Sequence, residues 1–281
     1  LKKGLLFLCY DKNMIVVGTK DRRYKSWRES QGITRNNGSY WYAKELEDII
    51  LPALSDLNCM VVTVGAALFD VQQIKDGAVI VCHDNRSTVE NYGKWFKRGM
   101  IWVCSKKSTQ EILLSRGETA YYIPLSVDTA YVAQYKRKRR SGTAYVGNAW
   151  QFKAEYLATL PKKVKQLSGM ERDELLADMS KYKRVIAEGR CLMEAKVLGA
   201  EVEVPQYKAL EAVMVDVLDS RDAIPLWREV LTKAPTFTRV KFLVDLYPYC
   251  IGDTPLLDSE ELERVNAIAF KRGIAQPHKH L

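Results

Sequence analysis

Four short segments of this 281-residue chain combine residue types that can handle an anion or a sugar. His83-Asp84-Asn85, Gly147-Asn148, Ser168-Gly169 and Glu188-Gly189-Arg190 each follow a short apolar run. In open parallel sheets, ligands bind beyond the carboxyl ends of strands, where loops and helix N-termini present unpaired N–H groups. Three of the four segments carry glycine, which lets the backbone approach a phosphate closely. Lys153 and Arg190 have the charge to neutralise a leaving diphosphate. Glu194, one helical turn beyond Arg190, offers a carboxylate suited to accepting from paired hydroxyls. Plainer readings stay open: Glu194 as an ordinary helix residue, Lys153 and Arg190 as solvated charges, Gly147 and Gly169 as turn residues. His83 could equally cap a loop, and Asp84 form a turn.

The elements that must position these residues follow from hydrophobic periodicity. Apolar runs predict strands at Leu5–Cys9, Met14–Val17, Met60–Val64, Ala78–Cys82, Met100–Cys104 and Ala120–Ile123. Helical spacing predicts helices over Ser39–Leu57, Ser87–Lys97 and Ser108–Arg116, with Ser108 as a cap for the last. A boundary falls near residues 128–142, where the run Lys136–Arg140 reads as a solvated linker, with a nuclear signal or a phosphate-binding patch as the other readings open to it. A tighter alternation follows, with strands at Thr143–Val146, Val164–Leu167, Arg184–Ala187 and Glu201–Val204. Helices at Gln151–Thr159, Glu171–Met179 and Cys191–Leu198 separate them, and the pattern from Tyr207 onward is mostly helical. Such alternation is the signature of βα units around a mainly parallel sheet.

Composition sets outer limits. Hydrophobic residues at 47% and charged residues at 27% describe a folded chain. No apolar run reaches the roughly 20 residues that span a bilayer. The six cysteines are scattered with no C-x-x-C pair, which argues for core thiols in a reducing cytoplasm rather than disulfides or a metal site. A net charge of +9 points to an anionic partner. Neither G-x-G-x-x-G, a P-loop nor a G-x-S-x-G elbow is present.

Within that frame, Leu192-Met193-Glu194-Ala195 followed by Gly199 resembles the donor-site helix of the family 4-like glycosyltransferases of GT-B fold. Other segments come in the family's order: Gly38 before a helix, Cys104-Ser105-Lys106, Ile123-Pro124-Leu125-Ser126-Val127-Asp128-Thr129, and Tyr145-Val146-Gly147-Asn148 with Lys153 beyond. The resemblance implies an α/β fold of two Rossmann-like domains facing across a cleft, with a helical C-terminal tail. On this sequence the domains fall at 1–135 for the acceptor and 136–220 for the nucleotide-sugar donor, with the tail at 221–281. A late helix of that tail is expected to cross back to the first domain.

The function implied is transfer of a sugar from a nucleotide diphosphate sugar, UDP-linked, to an acceptor, with retention and without a metal or other cofactor. Glu194 would accept from the ribose, with Gly147, Asn148, Lys153, Gly169 and Arg190 around the donor, and Glu188 and His83 would serve the donor sugar. Basic character makes modified DNA or an anionic envelope glycan or lipid attractive as acceptor. Two alternatives stand beside it: a noncatalytic α/β module that binds nucleic acid or senses nucleotides, and a sugar-nucleotide epimerase of the same fold. The short interval between Glu188 and Glu194, and Asn148 where the family has arginine, favour the first of these.

Overall fold

The computed structural model describes residues 8–10, 14–33, 38–65, 74–82, 90–147, 154–205 and 216–236. The chain divides into two compact units, one of Leu1–Gly32, Leu46–Ile123 and Ile224–Leu281, the other of Ile33–Glu45 and Pro124–Ala223. The expected boundary at 220 lies close to the crossing at 223, the one at 135 falls about a dozen residues beyond the crossing at 123, and Ile33–Glu45, expected in the first domain, belong to the second unit.

The first unit opens with an antiparallel pair, β1 (Leu8–Tyr10) and β2 (Met14–Val17), followed by α1 (Arg22–Ser30). Residues Ile33–Glu45, with α2 (Gly38–Glu45), belong to the second unit, and the chain returns at Leu46. The sequence expectation of one continuous helix from 39 to 57 is corrected here. After Glu45 the backbone loosens into a π-helical turn, Leu46–Ile50, closed by Leu51 N–H donating to Leu46 O. Pro52, which has no N–H to continue the ladder, then starts a 3₁₀ turn. Leu46, Ile50 and Leu54 still face inward, as their spacing requires.

β3 (Met60–Val62), β4 (Val79–Cys82), β5 (Ile101–Cys104) and β6 (Thr119–Tyr122) then add in sequence order, each parallel to the one before. Strands β2 to β5 are buried at every position, which is why they read as unbroken apolar runs rather than alternations. Between β5 and β6 lies α3 (Lys107–Ser115), burying Thr109 and Leu113. Its N-cap is Lys106 and no side chain caps it, so Ser108 sits exposed within the first turn and the expected cap is corrected. Trp102 is fully buried under Tyr92 and Phe96, and Glu118 accepts from its indole N–H at 3.1 Å and from Lys97 N–H at 2.8 Å. The described cysteines Cys59, Cys82, Cys104 and Cys191 are free thiols.

After Ile33–Glu45 the second unit resumes with β7 (Ser126–Val127) and α4 (Thr129–Ala133), where no element was expected. Asp128 caps α4 by accepting from Tyr131 N–H at 3.2 Å. Four parallel strands follow: β8 (Thr143–Val146), β9 (Lys165–Leu167), β10 (Arg184–Ile186) and β11 (Glu201–Glu203). Their helices are α5 (Ala154–Thr159), α6 (Arg172–Met179) and α7 (Gly189–Leu198). A short β12 (Leu218–Asp219) pairs with β7.

The sheet order is β11-β10-β8-β9, so the chain steps from β8 to β9 in one direction and then back past β8 to β10. Right-handed crossovers in opposite directions place their helices on opposite faces. Accordingly Tyr145 and Ile186 pack with Tyr156 near α5, while Ala144, Val146, Val185 and Ala187 pack with α4, α6 and α7. The last described helix, α8 (Ile224–Leu231), lies in the first unit, where Arg228 bonds both Asp56 oxygens at 2.7 and 3.0 Å. Among the described residues no helix is long and apolar enough to cross a membrane.

Candidate functional site

The reversal of strand order between β8 and β10 is the place in the second unit where two adjacent loops diverge to opposite faces. Ligands of doubly wound sheets sit in the crevice that such a divergence leaves at the carboxyl ends. Here the β8 exit is Gly147, with φ 151°, its N–H bonded to Leu167 O at 3.2 Å. The β10 exit is Glu188-Gly189, leading into the first turn of α7. Gly189 has φ 58°, which favours glycine, and a side chain there would meet nothing within 4 Å. The backbone at the start of α7 is therefore open to close approach. Glu188 is the half-buried N-cap residue of α7, and its carboxylate does not cap the helix. Gly169, with φ 68°, is exposed after the edge strand β9, one strand away from the reversal. Asn148, Lys153, His83 and Asp84 lie outside the described residues.

Arg190 and Glu194 are one turn apart on α7 and both are buried. Arg190 Nε donates to Glu194 Oε1 at 2.9 Å, one terminal nitrogen donates to Ser126 O at 3.3 Å, and the other bonds the Glu45 carboxylate. Arg172, in the first turn of α6, reaches the same two acids, Glu45 at 2.8 Å and Glu194 at 3.1 Å. Glu45 also accepts from Ser220 Oγ at 3.0 Å and from Asp128 N–H at 2.9 Å. Two cations and two anions so form a neutral buried cluster, the condition under which burial of charge is tolerated. Burial works against the charge of Arg190, but Glu194 and Glu45 outweigh it and hold the guanidinium more firmly protonated than usual. The rings of Trp41 and Tyr131 each lie 5.0 Å from the Arg172 guanidinium carbon.

Two donors and an acceptor of this cluster have capacity left. Arg172 Nε and the Trp41 indole N–H are enclosed and have no hydrogen-bond partner among the described residues. Both guanidinium bonds to Glu194 go to Oε1, and Oε2 accepts none among the described residues. Glu194 Oε2 can therefore still accept from a hydroxyl, while Arg172 Nε and the Trp41 indole nitrogen present no surface to a ligand. A thiol nucleophile is not on offer: burial and the Glu194 charge push Cys191 up to about 12.

Glu45, Arg172, Ser126 and Ser220 were not singled out by the sequence reading. One local signal existed. A cation in the first turn of a helix opposes the helix dipole, and both Arg172 and Arg190 sit there, which marks them as held by carboxylates elsewhere.

A second polar cluster closes the carboxyl ends of β2 and β3 in the first unit. Glu47, fully buried, accepts from Thr19 N–H at 2.8 Å and from the hydroxyls of Thr19 and Thr63, each at 2.5 Å. A Cβ at Gly18 would lie 2.2 Å from Glu47 Oε1, so only glycine lets this carboxyl in. Burial raises the Glu47 carboxyl above its ordinary range, with the threonine hydrogen bonds pulling the other way. Among the described residues no group of three or more His, Cys, Asp and Glu side chains converges as a metal ligand set. No protein-family model matches the chain, and no curated protein matches it.

Proposed function

We propose that the chain is a GT-B glycosyltransferase that binds a nucleotide diphosphate sugar, UDP-linked, at the strand-order reversal of the second unit. The observation that carries this reading is that the reversal falls between β8 and β10, whose exits are Gly147 and Glu188-Gly189-Arg190. Gly147 and Gly189 admit a diphosphate to the backbone, and the N-terminus of α7 favours its charge. Glu194 Oε2 is the acceptor for a ribose hydroxyl, while Oε1 stays with the two arginines that fix it. Lys153 neutralises the leaving diphosphate, with Asn148 and Gly169 bordering it; Arg190, expected from the sequence to clamp the diphosphate, instead holds Glu194 in place, and His83 and Glu188 serve the sugar. In the retaining reaction the bond from C1 to the phosphate oxygen breaks and one to the acceptor oxygen forms on the same face. The acceptor proton goes to the leaving phosphate, so no strong protein base is required. The return of α8 to the first unit also supports the reading.

A noncatalytic nucleotide-binding module is the second reading, favoured by one observation: all of Arg190's nitrogens already bond protein acceptors. Thermal-shift measurements with UDP, GDP, ADP and their sugar conjugates, on the parent and on Glu194→Gln, test both. A ligand at a hundred times its Kd adds about 2.7 kcal/mol to stability. A shift with one nucleotide family, reduced in the variant and accompanied by nucleotide release from its sugar conjugate, is the expected result. A shift without release selects the second reading, and the absence of any shift refutes both.

A further inference from the structure

The basic run Lys136–Arg140 immediately precedes β8, and the hydrogen bonds around it fix which edge of the second sheet it occupies. Ser141 N–H donates to Lys181 O at 3.0 Å, and Arg184 N–H donates to Gly142 O at 3.2 Å, so the run lies beside the start of β10. Arg140 turns inward, its guanidinium 2.9 Å from where a Cβ of Gly199 would be, at the C-terminal end of α7. There a cation is favoured by the helix dipole. The run thus sits at the amino ends of the strands, with roughly 10 Å of strand between it and the Gly147–Gly189 exits.

Lys162 and Lys163, in the turn before β9, occupy the same edge one strand over. Lys136, Arg137, Lys138, Arg139, Lys162 and Lys163 are all exposed and form no ion pair among the described residues. Their neighbours differ: Lys181 pairs with Asp178, Lys183 with Glu201 at 3.2 Å, and Arg184 with Glu203. Asp178 and Glu201 of this edge are engaged by Lys181 and Lys183, whereas the six cations, and exposed Lys165 at the start of β9, form no ion pair among the described residues. Among the described residues, the entry to α6 at the carboxyl end of β9 carries exposed acids instead, Glu171, Asp173 and Glu174.

We infer that the amino edge of the second sheet is a docking surface for the phosphate backbone of duplex nucleic acid. Three adjacent strands set these cations across a width of about 10 Å. A duplex presents one charge per roughly 1.7 Å of axis, so several phosphates fall within reach of such a width. Of the described large apolar residues that are exposed, Trp27, Leu114 and Leu226 belong to the first unit, and the residues named on this edge are cations rather than the apolar anchors an interfacial membrane site uses. Contact is through phosphate charge, without base reading, and its position leaves the glycine-lined carboxyl edge uncovered. The surface does not depend on glycosyl transfer and would serve either reading of that site.

Fluorescence anisotropy of a labelled random-sequence duplex, titrated with the full chain between 50 and 200 mM salt (on the order of physiological ionic strength), measures it. The parent is compared with a variant carrying Lys136→Ser, Arg137→Ser, Lys138→Ser and Arg139→Ser, with Arg140 kept because it packs against Gly199. Binding that weakens at least about tenfold in the variant, with the slope of log K against log salt shallower by up to about 3.6, is expected. The nucleotide-dependent thermal shift should be unchanged in the same variant, which also shows that it folds. No duplex binding at the lowest salt, or equal affinity and slope in the variant, overturns the inference. So does binding to anionic phospholipid vesicles that the duplex fails to match.

Discussion

Replacing Glu45 by alanine removes the carboxylate on which both buried guanidiniums of the second unit converge. Glu45 has 8% side-chain exposure and its partners Arg172 and Arg190 have 6% and 4%, so solvent screens these pairs little. The variant leaves the cluster with two cations and one anion, and it strips the acceptor from Ser220 Oγ and from Asp128 N–H. Breaking a buried pair by deleting one partner costs about 3–5 kcal/mol, most of it from the charge left behind. The lost bonds to Ser220 and Asp128 overlap with that figure, so about 4 kcal/mol is expected. At about 4 °C per kcal/mol for a unit of about 110 residues, the melting point of the second unit falls by about 16 °C. Urea unfolding gives the energy, and hydrogen exchange at the Asp128 amide locates it, since that N–H loses the Glu45 carboxylate that accepts from it. A double-mutant cycle of Glu45→Gln with Arg172→Met should return a coupling of at least about 1.5 kcal/mol. A loss under about 1 kcal/mol with an unchanged Asp128 amide would refute the buried-cluster account.

Two further outcomes follow from the buried groups of the chain. The Glu47 carboxyl is raised above its ordinary value of 4.5, so between that value and its raised one the folded state holds a proton the unfolded state releases. Stability of the first unit should therefore fall as pH rises through that window, and Glu47→Gln, which cannot titrate, should flatten the dependence in pH-resolved urea unfolding. Burial pushes the Cys59 thiol up to about 12, and Cys191 likewise, so little thiolate exists near neutrality. Mass spectrometry after brief iodoacetamide treatment should find the buried Cys59 unmodified in native buffer and fully alkylated in denaturant, with the half-buried Cys191 labelled only slowly; rapid native labelling of Cys59 would contradict its burial.

Much of the architecture was legible because buried parallel strands announce themselves. Met14–Val17, Val79–Cys82 and Ile101–Cys104 are apolar at every position, and the structure buries every one. Helices α6 and α7 were legible from apolar spacing, since Leu176, Met179, Leu192, Ala195 and Leu198 share one buried face. What escaped was either too short or too polar for a period to show. β7 and β12 have two residues each, and α1, Arg22–Ser30, carries few apolar residues to mark a stripe. The single helix expected over 39–57 gave way after Glu45 to a π turn and then, at Pro52, to a 3₁₀ turn, although its apolar face was consistent.

The exits Gly147 and Glu188-Gly189-Arg190 could be named from the sequence alone, because a strand followed by glycine is a local pattern. That these two exits are neighbours is decided by strand order, which arises when β10 is laid on the far side of β8 from β9. The ion cluster is a stronger case. Glu45 meets Arg172 across 127 positions and Arg190 across 145, and no period connects residues so far apart. The sequence by itself determined the strands, their exits and the charge of the chain, since each depends on residues close together along it. Only the tertiary structure decided which exits adjoin, which charges are cancelled in the interior and which remain exposed along one edge, because those depend on pairings made through space.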